Sequence, residues 1–201
     1  MPLKTETRST TEVPLADETS NIPTASNDKL VGSDDIDTFT ALAGDDEIYG
    51  FGGNDQIIAG TGNDTIFGGD GDDKMYGGQR KDTIYGGADD DVLYGGEDDD
   101  VLLGGSGDDG LTTGSGADTI KGGAGNDNIN ASGGDDSVFG GDGSDVIRGG
   151  KGTDILKGGF GSDTFIFETV DLENNVIDVI SDLQSGEKIG IDTSISWMGL
   201  N

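Results

Sequence analysis

Residues 23–166 repeat a pattern of hydrophobic and polar positions with a period of nine. This stretch divides into 16 blocks of nine residues without an insertion or deletion. The eighth position of every block carries a large apolar residue, namely Leu30, Phe39, Ile48, Ile57, Ile66, Met75, Ile84, Leu93, Leu102, Leu111, Ile120, Ile129, Val138, Ile147, Leu156 and Phe165. The sixth position is always aspartate, at Asp28, Asp37, Asp46, Asp55, Asp64, Asp73, Asp82, Asp91, Asp100, Asp109, Asp118, Asp127, Asp136, Asp145, Asp154 and Asp163. Such regularity predicts a repeat architecture.

The alternation within each block predicts short β-strands joined by glycine turns. Side chains alternate across an extended chain, so positions six and eight face one side while seven and nine face the other. Glycine concentrates at positions one, two and four, where it permits the positive φ angles of a tight turn. Each block is therefore expected to form a six-residue turn and a three-residue strand. The predicted fold class is all-β, a parallel β-roll or right-handed solenoid of about eight coils with two blocks in each.

Composition narrows the chemistry that such a roll can perform. Of the 201 residues, 41 are acidic and 11 are basic, which gives a formal net charge of −30, and 39 are glycine. A surface of this sign repels nucleic acids and anionic lipids and attracts metal cations. The absence of cysteine and histidine excludes disulfides, the usual zinc ligand sets and a Ser-His-Asp triad. Oxygen atoms are the metal ligands that remain. No apolar stretch approaches the ~18 residues of a membrane-spanning helix.

Stacking of the coils would place the aspartates in two columns. Those of the odd-numbered blocks, from Asp28 to Asp154, form what we call the first edge, and those of the even-numbered blocks, from Asp37 to Asp163, form the second edge. Carboxylates about 5 Å apart repel by about 3 kcal/mol per pair at an effective dielectric constant of 20. The position-eight side chains form only a small apolar core. Their burial stabilises the fold too little to offset both the carboxylate repulsion and the entropy lost when 144 residues become ordered. A divalent cation between stacked loops would turn the repulsion into attraction and add binding free energy that only the folded roll can gain.

Calcium is the predicted cation, because loops rich in backbone carbonyl oxygen suit a large ion with flexible coordination better than they suit magnesium. Seven gaps between the eight aspartates of each edge allow up to about 14 Ca²⁺ ions. The predicted side-chain ligands are the position-six aspartates from Asp37 to Asp163. The predicted carbonyl ligands belong to loop residues such as Gly68, Gly69, Gly71, Gly122, Gly123, Gly125, Gly140, Gly141, Gly143, Gly149, Gly150 and Gly152. Two alternatives to a calcium-binding roll are a disordered acidic chain and a metal-free solenoid. Disorder does not require an apolar residue at every ninth position, and a metal-free solenoid would leave the repulsion between the carboxylates uncompensated.

Several blocks resemble a known repeat. The segments GGDGDD (68–73), GGSGDD (104–109), GGAGND (122–127) and GGFGSD (158–163) are similar to the RTX (repeats-in-toxin) nonapeptide GGxGxDxUx, where U is a large apolar residue. The resemblance implies a parallel β-roll that holds calcium between its loops through aspartate carboxylates and carbonyl oxygens. It also implies type I secretion through an uncleaved C-terminal signal, so that the chain is unfolded in the calcium-poor cytoplasm and folded outside the cell or at its surface.

The chain divides into three predicted segments. Residues 1–22 are polar and lack the apolar run of a secretory signal peptide, which predicts a disordered leader. Residues 23–166 form the roll, and its first two blocks lack the glycine pattern and predict an N-terminal cap. Residues 167–201 resemble the capping region of serralysin-type and haemolysin-type rolls, while the final SWMGLN resembles the family's secretion tail only loosely.

After the first two blocks, three more depart from the pattern at position four. Arg80, followed by Lys81, brings positive charge into a loop, and we expect weak or absent cation binding there. Asp89 and Asp98 also replace glycine. Aspartate tolerates left-handed backbone geometry better than most residues, so these two loops are expected to keep their shape.

The favoured function is a calcium-binding secreted or surface module with a structural, adhesive, or export-and-folding role. A secreted enzyme is the second hypothesis, but the sequence contains no HExxH motif and no GxSxG motif with a histidine partner, and we predict no catalytic activity. A pore-forming toxin would need apolar or amphipathic helices, which the pattern does not predict.

Outward-facing aromatic residues at position nine, including Tyr49, Phe67, Tyr85 and Phe139, allow two interpretations. They could form a docking ladder for a cell-surface or matrix partner. Alternatively, they could pack on one another across strands, as β-strand aromatics commonly do. A neighbouring row of threonines would suit an ice-binding face, but the row is interrupted.

Overall fold

The chain folds into two parallel β-sheets that face each other. The computed structural model describes residues 23–168, 178–184 and 186–192. The first sheet has nine strands, namely β1 (Lys29–Val31), β3 (Glu47–Gly52), β5 (Thr65–Asp70), β7 (Thr83–Ala88), β9 (Val101–Ser106), β11 (Thr119–Ala124), β13 (Ser137–Gly143), β15 (Ile155–Gly161) and β17 (Val179–Ile180). The second has nine, namely β2 (Thr38–Ala43), β4 (Gln56–Thr61), β6 (Lys74–Gln79), β8 (Val92–Glu97), β10 (Gly110–Ser115), β12 (Asn128–Gly133), β14 (Val146–Arg148), β16 (Thr164–Glu168) and β18 (Lys188–Asp192). Because successive strands alternate between the sheets, every pair of strands forms one coil, and the predicted parallel β-roll is confirmed.

The register of the sheets follows the nine-residue period. Ile66 in β5 pairs with Ile84 in β7, and every strand-to-strand step within the nonapeptide region advances by 18 residues. The first two blocks supply β1 and β2, which are the edge strands at one end of the roll. The predicted leader and the candidate secretion tail lie outside the described residues. Among the residues that are described, no helix has the length and apolar character of a membrane span.

The strands are longer than the sequence pattern predicts. Most contain six residues, and the three-residue strand that we expected covers only their first half. In β5, for example, Thr65, Ile66 and Phe67 are followed by the Gly-Gly pair of the next block, and Gly69 still pairs with Gly87. Positions one to three continue the ladder even where glycine is absent, as in β2 with Ala41 and Leu42, so only positions four to six remain for the turn.

The core is one layer of large side chains between the sheets. All sixteen position-eight residues are buried, with Phe39 the most exposed at 6%. Position one also points inward, where Ala41, Ala59, Thr113 and Ala131 are buried. Each coil therefore encloses two large apolar side chains, which is a thin core for so much ordered backbone.

Outward-facing aromatic rings stack along the sheets. The ring centroids of Tyr49 and Phe67 are 4.8 Å apart, as are those of Phe67 and Tyr85. On the other sheet the Tyr76 and Tyr94 rings are 4.7 Å apart. This packing agrees with the cross-strand interpretation of position nine, and a docking partner for these rings stays a prediction.

At position four the chain runs close to the neighbouring coil, and most blocks carry glycine there. Gly125 has φ +134°, and a Cβ there would overlap the carbonyl oxygen of Gly107 one coil away. Arg80, Asp89 and Asp98 avoid this geometry by adopting φ of 78°, 74° and 74°, within the left-handed region open to other residues. The prediction that the two aspartate loops keep their fold is confirmed.

Replacement of Gly125 by alanine should destabilise the calcium-loaded roll by about 1–3 kcal/mol, because a strained φ and a backbone overlap would both have to be relieved. Gly110→Ala is the matched control, since its Cβ would meet nothing nearer than 3.8 Å and its φ is ordinary. That control should be neutral or stabilising by about 0.4–1 kcal/mol. Thermal unfolding in saturating calcium checks both, and equal stability of the two variants would contradict the packing at position four.

Candidate metal sites

The position-six aspartates lie in the turns, yet they are withdrawn from solvent. From Asp46 to Asp163 none exposes more than 2% of its surface. The residue precedes the first strand position, so its side chain faces the same way as the core column at position eight. The roll therefore contains a column of buried carboxylates along each edge.

One oxygen of each carboxylate forms a hydrogen bond to the neighbouring coil. The backbone N–H of Asp82 donates to Oδ1 of Asp100 over 2.8 Å, and the N–H of Asp91 donates to Oδ1 of Asp109 over 2.8 Å. The same bond joins consecutive coils throughout the nonapeptide region, and always runs from one coil to the coil that follows it. We call this series of hydrogen bonds the inner ladder. The sequence analysis did not predict it, although the unbroken column of aspartates could have indicated it.

The other oxygen, Oδ2, is buried without a hydrogen-bond partner. This holds for Asp46, Asp55, Asp64, Asp73, Asp82, Asp91, Asp100, Asp109, Asp118, Asp127, Asp136, Asp145 and Asp163. Burial of an ionised oxygen without a compensating partner is strongly unfavourable. A bound cation would supply the missing partner, so the buried oxygens fit the metal that the sequence predicts.

The electrostatics of the columns agree with this interpretation. Desolvation raises the pKa of Asp82 and Asp91 to about 8, and the pKa of Asp100 and Asp136 to about 7. Burial likewise raises the pKa to about 6 for Asp64, Asp73, Asp109, Asp127 and Asp145. Without a cation, the folded roll thus holds protons on these carboxyl groups at pH values where a free aspartate has already released its proton.

Backbone carbonyl oxygens line the same spaces. On the second edge, Oδ2 of Asp55 and the carbonyl oxygen of Gly68 both border the space beside Gly50, where a Cβ would otherwise sit. Glycine occupies position one of every block on this edge, and the arrangement recurs beside Gly68, Gly86, Gly104, Gly122 and Gly140. A buried carboxylate oxygen and a carbonyl oxygen that face one space are the kind of ligands that a hard cation prefers.

Position two and position four carbonyls also point toward the next coil. The carbonyl oxygen of Gly69 faces Gly87, and that of Gly125 faces Gly143. Within the described residues, no three acidic side chains converge on one point, so a metal would have to combine carboxylate with carbonyl ligands. Calcium accepts six to eight oxygens of this mixed kind in flexible geometry.

The first aspartate of each edge differs from those that follow. Oδ2 of Asp37 accepts hydrogen bonds from the backbone N–H of Ser33 at 2.7 Å and from its hydroxyl at 3.1 Å. Oδ2 of Asp28 accepts the N–H of Thr24 at 2.7 Å in the same way. Protein donors therefore satisfy both carboxylates, so Asp37, which the sequence pattern includes among the ligands, lacks the bare oxygen of the later aspartates.

The basic pair in the seventh block lies outside the aspartate column. Lys81 Nζ forms an ion pair with Asp99 Oδ2 at 2.5 Å, and both side chains are substantially exposed. Arg80 is also exposed, while Asp82 keeps its ladder bond and its unpartnered Oδ2. The sequence analysis expected this positive charge inside the loop, at the predicted place of the cation, whereas the structure places the Arg80 and Lys81 side chains on its exposed side. Weak or absent cation binding at this loop stays a prediction, but the position of these two side chains gives no reason for it.

Position five forms a second, outer ladder that sequence reasoning also missed. The N–H of Asp90 donates to Oδ1 of Asp72 at 3.2 Å, and the N–H of Asp108 donates to Oδ1 of Asp90 at 2.7 Å. These bonds run opposite to the inner ladder and use exposed side chains. The frequent Asp and Asn residues at position five could have indicated this outer ladder.

A solenoid whose loops carry stacked buried carboxylates and inward carbonyls defines a metal-binding β-roll. The chain matches the family described as the RTX calcium-binding nonapeptide repeat over residues 23–57, 49–79, 76–111, 112–147 and 131–165. The chain belongs to this family, and its repeats form a calcium-binding domain. No curated protein matches the chain.

Asp109→Asn should raise the calcium concentration at the folding midpoint about 3- to 10-fold, because a charged ligand is lost while Oδ1 still accepts the ladder bond. Asp108→Asn makes the same charge change on the exposed neighbour and should shift the midpoint by less than about twofold. Calcium titrations followed by far-UV circular dichroism compare the two. An equal shift in both variants would show that only net charge matters.

Acid should stabilise the roll when calcium is absent. The raised pKa values mean that the folded state holds protons which the unfolded state releases near pH 4. The contribution of these protons to the stability of the metal-free fold is therefore fully present below about pH 4 and is lost as pH rises toward about 8. Circular dichroism in EDTA should show more β-structure at pH 4.5 than at pH 8, with sedimentation to detect aggregation near the pI of about 4.1. More β-structure at pH 8 would contradict the prediction.

Proposed function

We propose that this protein is a secreted or cell-surface module that is unfolded in calcium-poor surroundings and folds when calcium binds between its coils. The observation that carries the proposal is the repeated buried Oδ2 without a donor, beside inward carbonyl oxygens. The proposed side-chain ligands are the position-six aspartates from Asp46 to Asp163, with carbonyl oxygens of the intervening loop glycines. Asp37 is the weakest of the predicted ligands, because Ser33 already occupies its Oδ2.

Charge supports a high calcium load. Up to about 14 ions, one in each gap between stacked loops, would carry about +28 against the formal −30 of the chain. Repulsion within the two columns opposes folding until ions arrive, and the thin core adds little to resist it. The ions would thus act as the main cross-links between coils, and their removal would expand the chain.

Calcium-dependent folding would suit a protein that must cross a membrane unfolded and work outside the cell. Extracellular calcium modules commonly bind at about 10⁻⁴–10⁻³ M, well above cytoplasmic concentrations. The RTX family membership and the calcium requirement together favour an extracellular or cell-surface location. The role there would be structural, adhesive or export-related, and no catalytic role is proposed.

A titration of EDTA-treated protein with Ca²⁺, and separately with Mg²⁺, tests the proposal. Calcium should produce a cooperative change from coil to β-structure and a decrease in hydrodynamic radius, because the ligands assemble only in the folded roll. Magnesium at the same concentration should produce little of either, since it retains its water shell. A chain that is already folded in EDTA at pH 8, or one that ignores millimolar calcium, would refute the proposal.

A further inference from the structure

The last coil of the roll is built from residues that leave the nonapeptide phase. Lys188 donates its backbone N–H to the carbonyl oxygen of Asp163 at 2.8 Å, the same bond that Thr164 makes to Asp145 at 2.7 Å. Position six on the second edge is therefore occupied by Glu187, 24 residues after Asp163 rather than 18. The aspartate column of the second edge thus continues by one acidic residue that the repeat pattern does not reveal.

Asp163 ends the regular column with an oxygen that nothing in its own coil satisfies. The residue is fully buried, and its Oδ1 accepts the N–H of Asp145 at 3.0 Å. Its Oδ2 is buried without a hydrogen-bond partner and lies against Gly158, at the start of the same loop. A ligand in this position would have to be shared with the coil that follows.

The following loop is seated directly on this site. The carboxylate of Asp182 accepts the N–H of Gly158 at 3.0 Å and the N–H of Gly159 at 3.1 Å. Gln184 donates from Nε2 to the carbonyl oxygen of Gly159 at 2.6 Å. These three bonds fix the turn that carries Glu187 against the loop that carries Asp163.

Glu187 carries a second bare oxygen on the coil that follows. Its Oε2 accepts the backbone N–H of Gln184 at 2.6 Å, whereas its Oε1 is buried without a partner. Across the described residues, all other buried side-chain oxygens of this kind belong to position-six aspartates. Asp163 and Glu187 therefore occupy successive places in the register of the second edge, and each has one carboxylate oxygen without a donor.

We propose that a calcium ion binds between the turn that follows β15 and the coil after it, with the carboxylates of Asp163 and Glu187 as ligands. The inference rests on the proposed function of the regular loops and adds a site that the nonapeptide pattern does not contain. Glutamate can offer both oxygens to one calcium ion, which suits a terminal gap with no regular loop beyond it. The ion would attach the last coil to the roll and make its folding depend on calcium.

Glu187→Gln in the full chain tests this site, with Glu97→Gln as the matched control on an exposed side chain at the end of β8. Bound calcium is counted by equilibrium dialysis and atomic emission, and hydrogen exchange is measured for peptides covering 178–192 and 64–145. Glu187→Gln should bind one ion fewer, and the 178–192 peptide should exchange at least about tenfold faster in calcium, while the 64–145 peptides keep their protection. Glu97→Gln should match the unmodified protein in every measurement.

Other outcomes separate the two proposals. If Glu187→Gln keeps the full number of ions and normal exchange at 178–192, the terminal site is wrong although the regular sites stand. If the variant loses several ions together with protection at 64–145, Glu187 acts on the whole roll and the local site is also wrong. If the unmodified protein binds no calcium, both proposals fail. Asp163→Asn, which keeps the Oδ1 acceptor, should reproduce the loss of an ion and of protection at 178–192.

Discussion

A carboxylate oxygen that is buried without a donor is the constraint on which this roll depends. Folding withdraws the position-six aspartates from Asp46 onward from water and satisfies one oxygen of each through the coil before it, while in most of them the other oxygen is left without a donor. Only a proton or a cation can compensate such an atom, and at neutral pH the requirement recurs in nearly every loop. The sheets and the thin apolar layer are consequently a framework that becomes stable once its edges are neutralised.

The nine-residue period was sufficient to predict the parallel sheets, the coil of two blocks, the 18-residue register and the buried column from Leu30 to Phe165. It was not sufficient for strand length, because Gly-Gly pairs such as Gly68 and Gly69 extend the ladder where composition alone indicates a turn. Nor could it place Lys81, which is exposed and pairs with Asp99, since a nine-residue spacing does not state which way a turn side chain faces. Glu187 escaped detection because a pattern defined by spacing cannot follow a chain that changes its spacing.

The two edges of the roll are chemically unequal. On the second edge every block begins with glycine, which keeps space for Oδ2 and a facing carbonyl oxygen, and the outer ladder runs from Asn54 through Asp108 to Asn126. On the first edge, alanine or threonine takes position one in several blocks, as at Ala59 and Thr113, and the outer ladder is interrupted. Identical repeats would provide identical candidate sites on both edges. Because position one and the outer ladder vary on the first edge, the candidate sites of the second edge are the more uniform set.

The inner hydrogen-bond ladder has a direction, because each aspartate N–H finds its acceptor on the coil that follows. The outer ladder has the opposite direction, because each position-five N–H there bonds to the coil that precedes it. Removal of a coil from either end of the roll would therefore expose different groups: a position-six N–H where the C-terminal coil is lost, and a position-five N–H where the N-terminal coil is lost.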